Sequence, residues 1–111
     1  METKKEIESK DPKQIKMLFW SVFAGSKGCF NRVKIVLKIK HTPLNTNQLS
    51  EQLGLDYKVV ERHLDVLEKN NLVSKVGNRY SVTYFLSPLL ESNLNLLDEV
   101  AVNAKNCNDN L

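Results

Sequence analysis

The stretch LGLDYKVVERHLDVLEKNNLV, Leu53 to Val73, decides the fold. Gly54 interrupts one apolar pattern, and another begins behind Asp56. In the second run Val60, Leu64 and Leu67 repeat at +4 and +3, the spacing of one buried helical line, and Val59, His63 and Val66 flank it at the same spacing. The remaining face carries Lys58, Glu61, Arg62 and Asp65, with Tyr57 at the helix start. A helix, a tight glycine turn and a second helix form the helix-turn-helix pattern.

Working upstream, Thr46 is the expected N-cap of the first motif helix, Leu49 and Leu53 face inward, and Gly54 closes it. Asn31 to Lys40 is a further helix, apolar around much of its circumference and therefore central, ended by His41-Thr42-Pro43. Asp11-Pro12 reads as N-cap and first residue of the first helix, with Ile15, Leu18, Phe19, Val22 and Phe23 at helical spacing. Trp20 lies off that stripe and hints at a second contact surface, and Gly25 and Gly28 end the helix.

Downstream the period changes. LVSKV and YSVTYF are β-rich runs, and Gly77-Asn78 suits the loop of a hairpin, a wing that carries Lys75 and Arg79. Ser87-Pro88 starts a last helix with Leu90, Leu94, Leu97, Ala101 and Ala104 in heptad spacing. That seam, with Leu18 and Val22 of the first helix, is the expected dimer interface; the alternative is an intramolecular helix closing the monomer core. The expected fold is mainly α with a small β-hairpin wing, a winged helix-turn-helix with additional N- and C-terminal helices. It divides into a flexible arm 1–11, the winged domain 12–86, a dimerisation helix 87–105 and a tail 106–111.

A chain of 111 residues is one domain. No apolar run reaches a membrane span, and METKKEIESKDPK lacks a signal peptide's apolar core, so the expected location is the cytoplasm, without a membrane partner. Cys29 and Cys107 match no zinc or redox spacing and read as free thiols; the sharper alternative is a disulfide between two copies of Cys107. Net charge is +3, but residues 12–54 carry +6 and residues 55–82 carry +1, between ends of −1 and −3. A basic middle is a patch that steers polyanions.

A helix in the DNA major groove reads bases with residues near its N-terminus, here Tyr57, Lys58, Glu61 and Arg62. Lys and Arg donate to guanine O6 and N7, Glu accepts from cytosine N4, and Tyr57 can touch phosphate or a thymine methyl. Lys75 and Arg79 on the wing would cross phosphates or the minor groove. Asn47 and Gln48 can bond phosphate at the start of the first motif helix, or simply cap it. The acids also oppose phosphate, and Glu61 can pair with Lys58 at i, i+3.

NTNQLSEQLGLDYKVVERHLDVLEKNNLV (45–73), followed by a hairpin and YFLSPLLE (84–91), resembles the ArsR-like winged helix-turn-helix regulators, and most of all their small archaeal members. The resemblance covers roughly residues 28–91, and its most specific element is V-x-R-H-L-x-V-L-E-x-x-x-L-V, Val60 to Val73. It implies a homodimer that binds operator DNA, with base-reading positions at Tyr57, Lys58, Glu61 and Arg62 and a dimer interface from the first and last helices. Metal-sensing members carry a C-x-C pair where this chain has Asn45-Thr46-Asn47, or Asp and His pairs on the last helix, which here has Asp98 and Glu99 but no histidine. Neither a metal site nor a cofactor is expected.

His63, between Val59 and Val66, reads as structural rather than as a ligand or proton switch; His41 sits where it can favour a helix dipole. Arg32 can brace the fold or touch phosphate, and Lys34, Lys38 and Lys40 can be an ordinary wet face. No nucleophile with a base, phosphate-cradling glycine loop or carboxylate pair points to an enzyme. Two functions fit: a homodimeric regulator of transcription that binds double-stranded DNA, and a winged-helix module that binds a protein partner with weak or incidental DNA contact.

Overall fold

The computed structural model describes residues 11–78 and 80–103. Among the described residues six helices and a hairpin follow in the order α1 (Pro12–Phe23), α2 (Cys29–His41), α3 (Thr46–Leu53), α4 (Tyr57–Lys69), β1 (Val73–Asn78), β2 (Ser81–Leu86), α5 (Pro88–Glu91) and α6 (Leu94–Ala101). This is a winged helix: a helix-turn-helix, α3 and α4, followed directly by an antiparallel two-stranded wing.

Helices α1, α3, α4 and α5 start where side chains satisfy their first amides. Asp11 caps α1 and exchanges hydrogen bonds with Gln14, a capping box ahead of Pro12. Asn45, rather than the expected Thr46, caps α3 in the same way with Gln48. Asp56 accepts from the Lys58 amide at the start of α4. Gly54 closes α3 with φ +67°, and its N–H donates to the Ser50 carbonyl.

α2 is the hub. Its buried residues Val33, Ile35, Val36 and Ile39 lie among α1, α3, α4 and β2. α4 contributes Val60, Leu64 and Leu67, all fully buried, so the line read from the sequence is the line that faces the core. Phe19 and Phe23 of α1 pack edge to face, centroids 5.7 Å apart, and α1 also packs on α6. Leu44 adds an isolated bridge to β2: its N–H donates to the Tyr84 carbonyl at 3.2 Å, and the Tyr84 N–H donates back at 2.8 Å. That bridge holds the start of α3 against the wing.

Three boundaries differ from the sequence reading. α2 starts at Cys29 and runs through His41, because Gly28 at φ +85° turns the chain straight into the helix. Asn78 pairs with Ser81, so Gly77 belongs to β1, opposite Val82, and not to the loop. The last helix breaks into α5 and α6, because Asn93 turns out of helical geometry and its side-chain amide donates to the Leu89 carbonyl at 2.7 Å. Cys29 is buried and disulfide-bonded, which corrects the free-thiol expectation for that residue. Sequence spacing cannot report a bond that depends on tertiary approach. Cys107 and the expected arm over residues 1–10 lie outside the described residues.

Candidate nucleic-acid interface

With Val60, Leu64 and Leu67 turned inward, α4 presents Tyr57, Lys58, Arg62 and Asp65 to solvent, with Glu61 half-buried beside them. Lys58 Nζ lies 3.9 Å from Glu61 Oε1. A surface pair of this kind contributes about 0.2–1 kcal/mol, so Lys58 can leave it for a phosphate or a base at little cost. Arg62, one turn further along, has the fork needed to meet the paired acceptors of guanine.

The wing stands beside this face. Lys75 reaches back from β1 to Glu68 of α4, Nζ to Oε1 3.4 Å. Lys58 and Glu68 are ten residues apart, about 15 Å along the helix axis, so Lys58 and Lys75 stand well apart along α4. Arg79 lies outside the described residues. Asn47 is exposed at the first turn of α3. The Gln48 side chain is used locally, its Oε1 accepting from the Asn45 amide at 2.9 Å.

Between α3, α4 and the wing lies a cleft of about 300 Å³. Asn45, the cap of α3, and Asn47 line it on one side, Tyr57 and Glu61 from α4, and Tyr80 and Tyr84 from the wing. Tyr84 is buried, and burial raises its phenol above the ordinary value of 10.0; nearby Lys75 and a hydrogen bond with the Thr46 side chain pull the other way, while Glu68 and Asp65 push it further up. Tyr84 is therefore neutral at physiological pH.

The sequence reading left Arg32 undecided between bracing and phosphate contact, and the geometry assigns it to bracing. It is 5% exposed. Its Nε donates to the Val22 carbonyl at 2.8 Å, in the last turn of α1, and an Nη donates to the Lys27 carbonyl at 3.2 Å. The guanidinium also bonds Ser26 Oγ and lies 3.2 Å from His63 Nδ1. One side chain thus ties α1, the α1–α2 loop and α4 together, and His63 has the structural place expected of it. A charged residue inside an apolar helical pattern was the available signal.

Of the residues expected at a dimer seam, Val22, Leu90 and Leu97 are buried within the chain, and Leu18, Leu94 and Ala101 are half-buried. Ala104 lies outside the described residues. Val100, off the heptad, takes a core position because α6 restarts after the break. What α1 leaves on the outside is Met17 and Trp20, 71% and 46% exposed, over a groove shared with Lys13 and Lys16.

Among the described residues no cluster of three His, Cys, Asp or Glu is placed to hold a metal ion, and no helix is long and apolar enough to cross a membrane. Residues 30–75 match the family described as bacterial regulatory protein, arsR family, a span from α2 into β1. In three dimensions the chain is similar to a solved protein titled "probable transcriptional regulator from Pseudomonas aeruginosa", with 18% identity, a TM-score of 0.58 and coverage of 83% of this chain and 74% of that one. At that identity the likeness speaks for the winged-helix fold. No curated protein matches in sequence.

Proposed function

We propose that this chain is a cytoplasmic, sequence-specific regulator of transcription that binds double-stranded DNA as a homodimer. The observation that carries the reading is the outward charged face of α4 beside a wing, on a segment that matches an arsR-type domain. Residues 56–70 enter the major groove, where Lys58 and Arg62 donate to guanine and Glu61 accepts from cytosine. Tyr57 and Asn47 meet the backbone, and the wing, residues 72–83, follows the phosphates or the minor groove with Lys75 and Arg79. The affinity to small archaeal members belongs to the same proposal.

The dimer places two reading helices about one DNA turn apart, ~34 Å. Since Val22, Leu90 and Leu97 are committed to the core, the proposed contact between copies centres on the outer side of α1, Met17 and Trp20, with Leu18, Leu94 and Ala101 at its edge. Lys58→Ala and Arg62→Ala test the reading face. Each is expected to weaken binding to a selected site by about 1–3 kcal/mol and to relax the sequence preference. Unchanged binding by both variants would refute the assignment.

The second reading, a module that binds a protein partner, is favoured by the same exposed Met17 and Trp20 and by Glu61 and Asp65, which repel phosphate. Trp20→Ala separates the two: loss of partner capture with DNA affinity intact supports it.

A further inference from the structure

Cys29 opens α2, is fully buried and is disulfide-bonded. The whole sequence holds two cysteines, Cys29 and Cys107, so a bond within one chain has only Cys107 to join. Cys107 stands six positions past Ala101, the last residue of α6, which is at most about 21 Å of extended chain. α6 packs on α1, and α1 leads into α2 through residues 24–28. A bond between the two cysteines is thus a short tether from the end of α6 to the start of α2. Its anchor in α2 is firm. The Cys29 amide donates to the Ser26 carbonyl at 3.1 Å, and Arg32, one turn on, bonds Ser26 and the Val22 and Lys27 carbonyls.

We propose that Cys29 and Cys107 form a thiol–disulfide exchange site whose reactant is a dithiol, and that the closed bond fastens α6 to the helical core. Reducing compartments keep thiols reduced, and the disulfides formed there are usually transient and redox-sensing. That argument rests on the cytoplasmic location proposed above. Burial sets the direction of attack. The core screens the Cys29 sulfur, so a reductant's thiolate attacks the sulfur of Cys107. The S–S bond breaks and its electron pair leaves on Cys29, at the N-terminal end of α2, where the helix dipole favours negative charge. Cys29 then takes up a proton. The reductant's second thiolate attacks its own sulfur in the mixed disulfide, and Cys107 leaves and is protonated. The protein ends with two thiols and the reductant with one disulfide, its two protons passed to the cysteines. The same exchange run backwards with an oxidised dithiol restores the bond.

The consequence falls on α6. Closed, the bond makes a loop of residues 29–107, which restricts the unfolded chain. Opened, it leaves α6 to its own packing, in which Leu97 and Val100 are buried. On the homodimer reading, on which this point alone rests, reduction loosens the α1–α6 face and weakens the contact between copies.

The test uses the full chain without DNA, equilibrated with reduced or oxidised dithiothreitol. Free thiols are alkylated and the protein is cut with trypsin. The oxidised sample should yield Gly28–Arg32 joined to Asn106–Leu111, and the reduced sample the same two peptides, separate and alkylated. Reduction of the folded protein should lower the thermal midpoint by about 10 °C and speed amide exchange in α6. Cys107→Ser, which leaves the buried Cys29 in place, should show the lower midpoint in both buffers. The proposal is overturned if Cys29 is alkylated in the oxidised sample, or if a non-reducing gel shows that the bond joins two copies. It is also overturned if the bond opens only after urea has unfolded the chain, or if the midpoint ignores its opening. A chain that sediments as a monomer in both buffers refutes the homodimer reading and leaves the exchange site standing.

Discussion

Arg32 and Gly28 meet at one point, and together they illustrate what single residues do here. Arg32 supplies donors to two backbone carbonyls and to Ser26 and also contacts His63, so its removal strands buried acceptors. Arg32→Ala is expected to cost about 3 kcal/mol in urea unfolding. Arg32→Lys should recover little of it, since one ammonium cannot span the same partners. Gly28 and Gly54 both have positive φ, yet their surroundings differ. A Cβ on Gly28 would lie 2.5 Å from His63 Cε1, whereas around Gly54 there is nothing within 4 Å. Gly54→Ala should therefore cost only the backbone term, about 1–2 kcal/mol, and Gly28→Ala clearly more, measured by the same denaturation. The sequence marked both glycines as breaks. It could not tell them apart, because the difference lies in a side chain thirty-five residues away.

Among the elements, α4 was the most legible. Its apolar line repeats without exception, and every residue of that line is fully buried. The hairpin was legible as an element but not in register. Gly77 looked like the loop because glycine favours turns, while the pairing of Asn78 with Ser81 moves the loop outward. The last helix was over-read, since a heptad pattern says nothing about a side chain, Asn93, that bonds back to the Leu89 carbonyl. The cleft was not legible at all: Asn45, Tyr57 and Tyr84 come from separate parts of the chain, which the Leu44–Tyr84 bridge and the Gly54 turn bring together. Tyr84 offers a prediction at this scale. Its folded-state pKa is raised, so its contribution to stability is complete below the ordinary value of 10.0 and is lost as pH rises through the folded value. Thermal stability should fall above about pH 10, and Tyr84→Phe should flatten that fall. Ultraviolet titration should show a late-ionising tyrosine that is missing in Tyr84→Phe.

For the whole molecule, the division of apolar surface decides how two copies can meet. Residues read as a dimer seam are largely spent in holding α6 to α1, which leaves Met17 and Trp20 outside. Under the proposed dimer, Trp20→Glu should shift sedimentation toward the monomer while the chain stays folded. Leu97→Glu should instead unfold it, because that side chain is 1% exposed. The charge distribution is the other property of the whole: residues 12–54 carry +6 and residues 55–82 carry +1, between acidic ends. The central claim, that this arrangement reads DNA, is tested most directly by fluorescence anisotropy across a salt series. The probes are the duplex upstream of the chain's own gene and a scrambled duplex of equal length. The account predicts tighter binding to the first, with affinity falling steeply as salt rises because neutralised phosphates release counterions. Equal, weak binding to both duplexes at every salt concentration would contradict it.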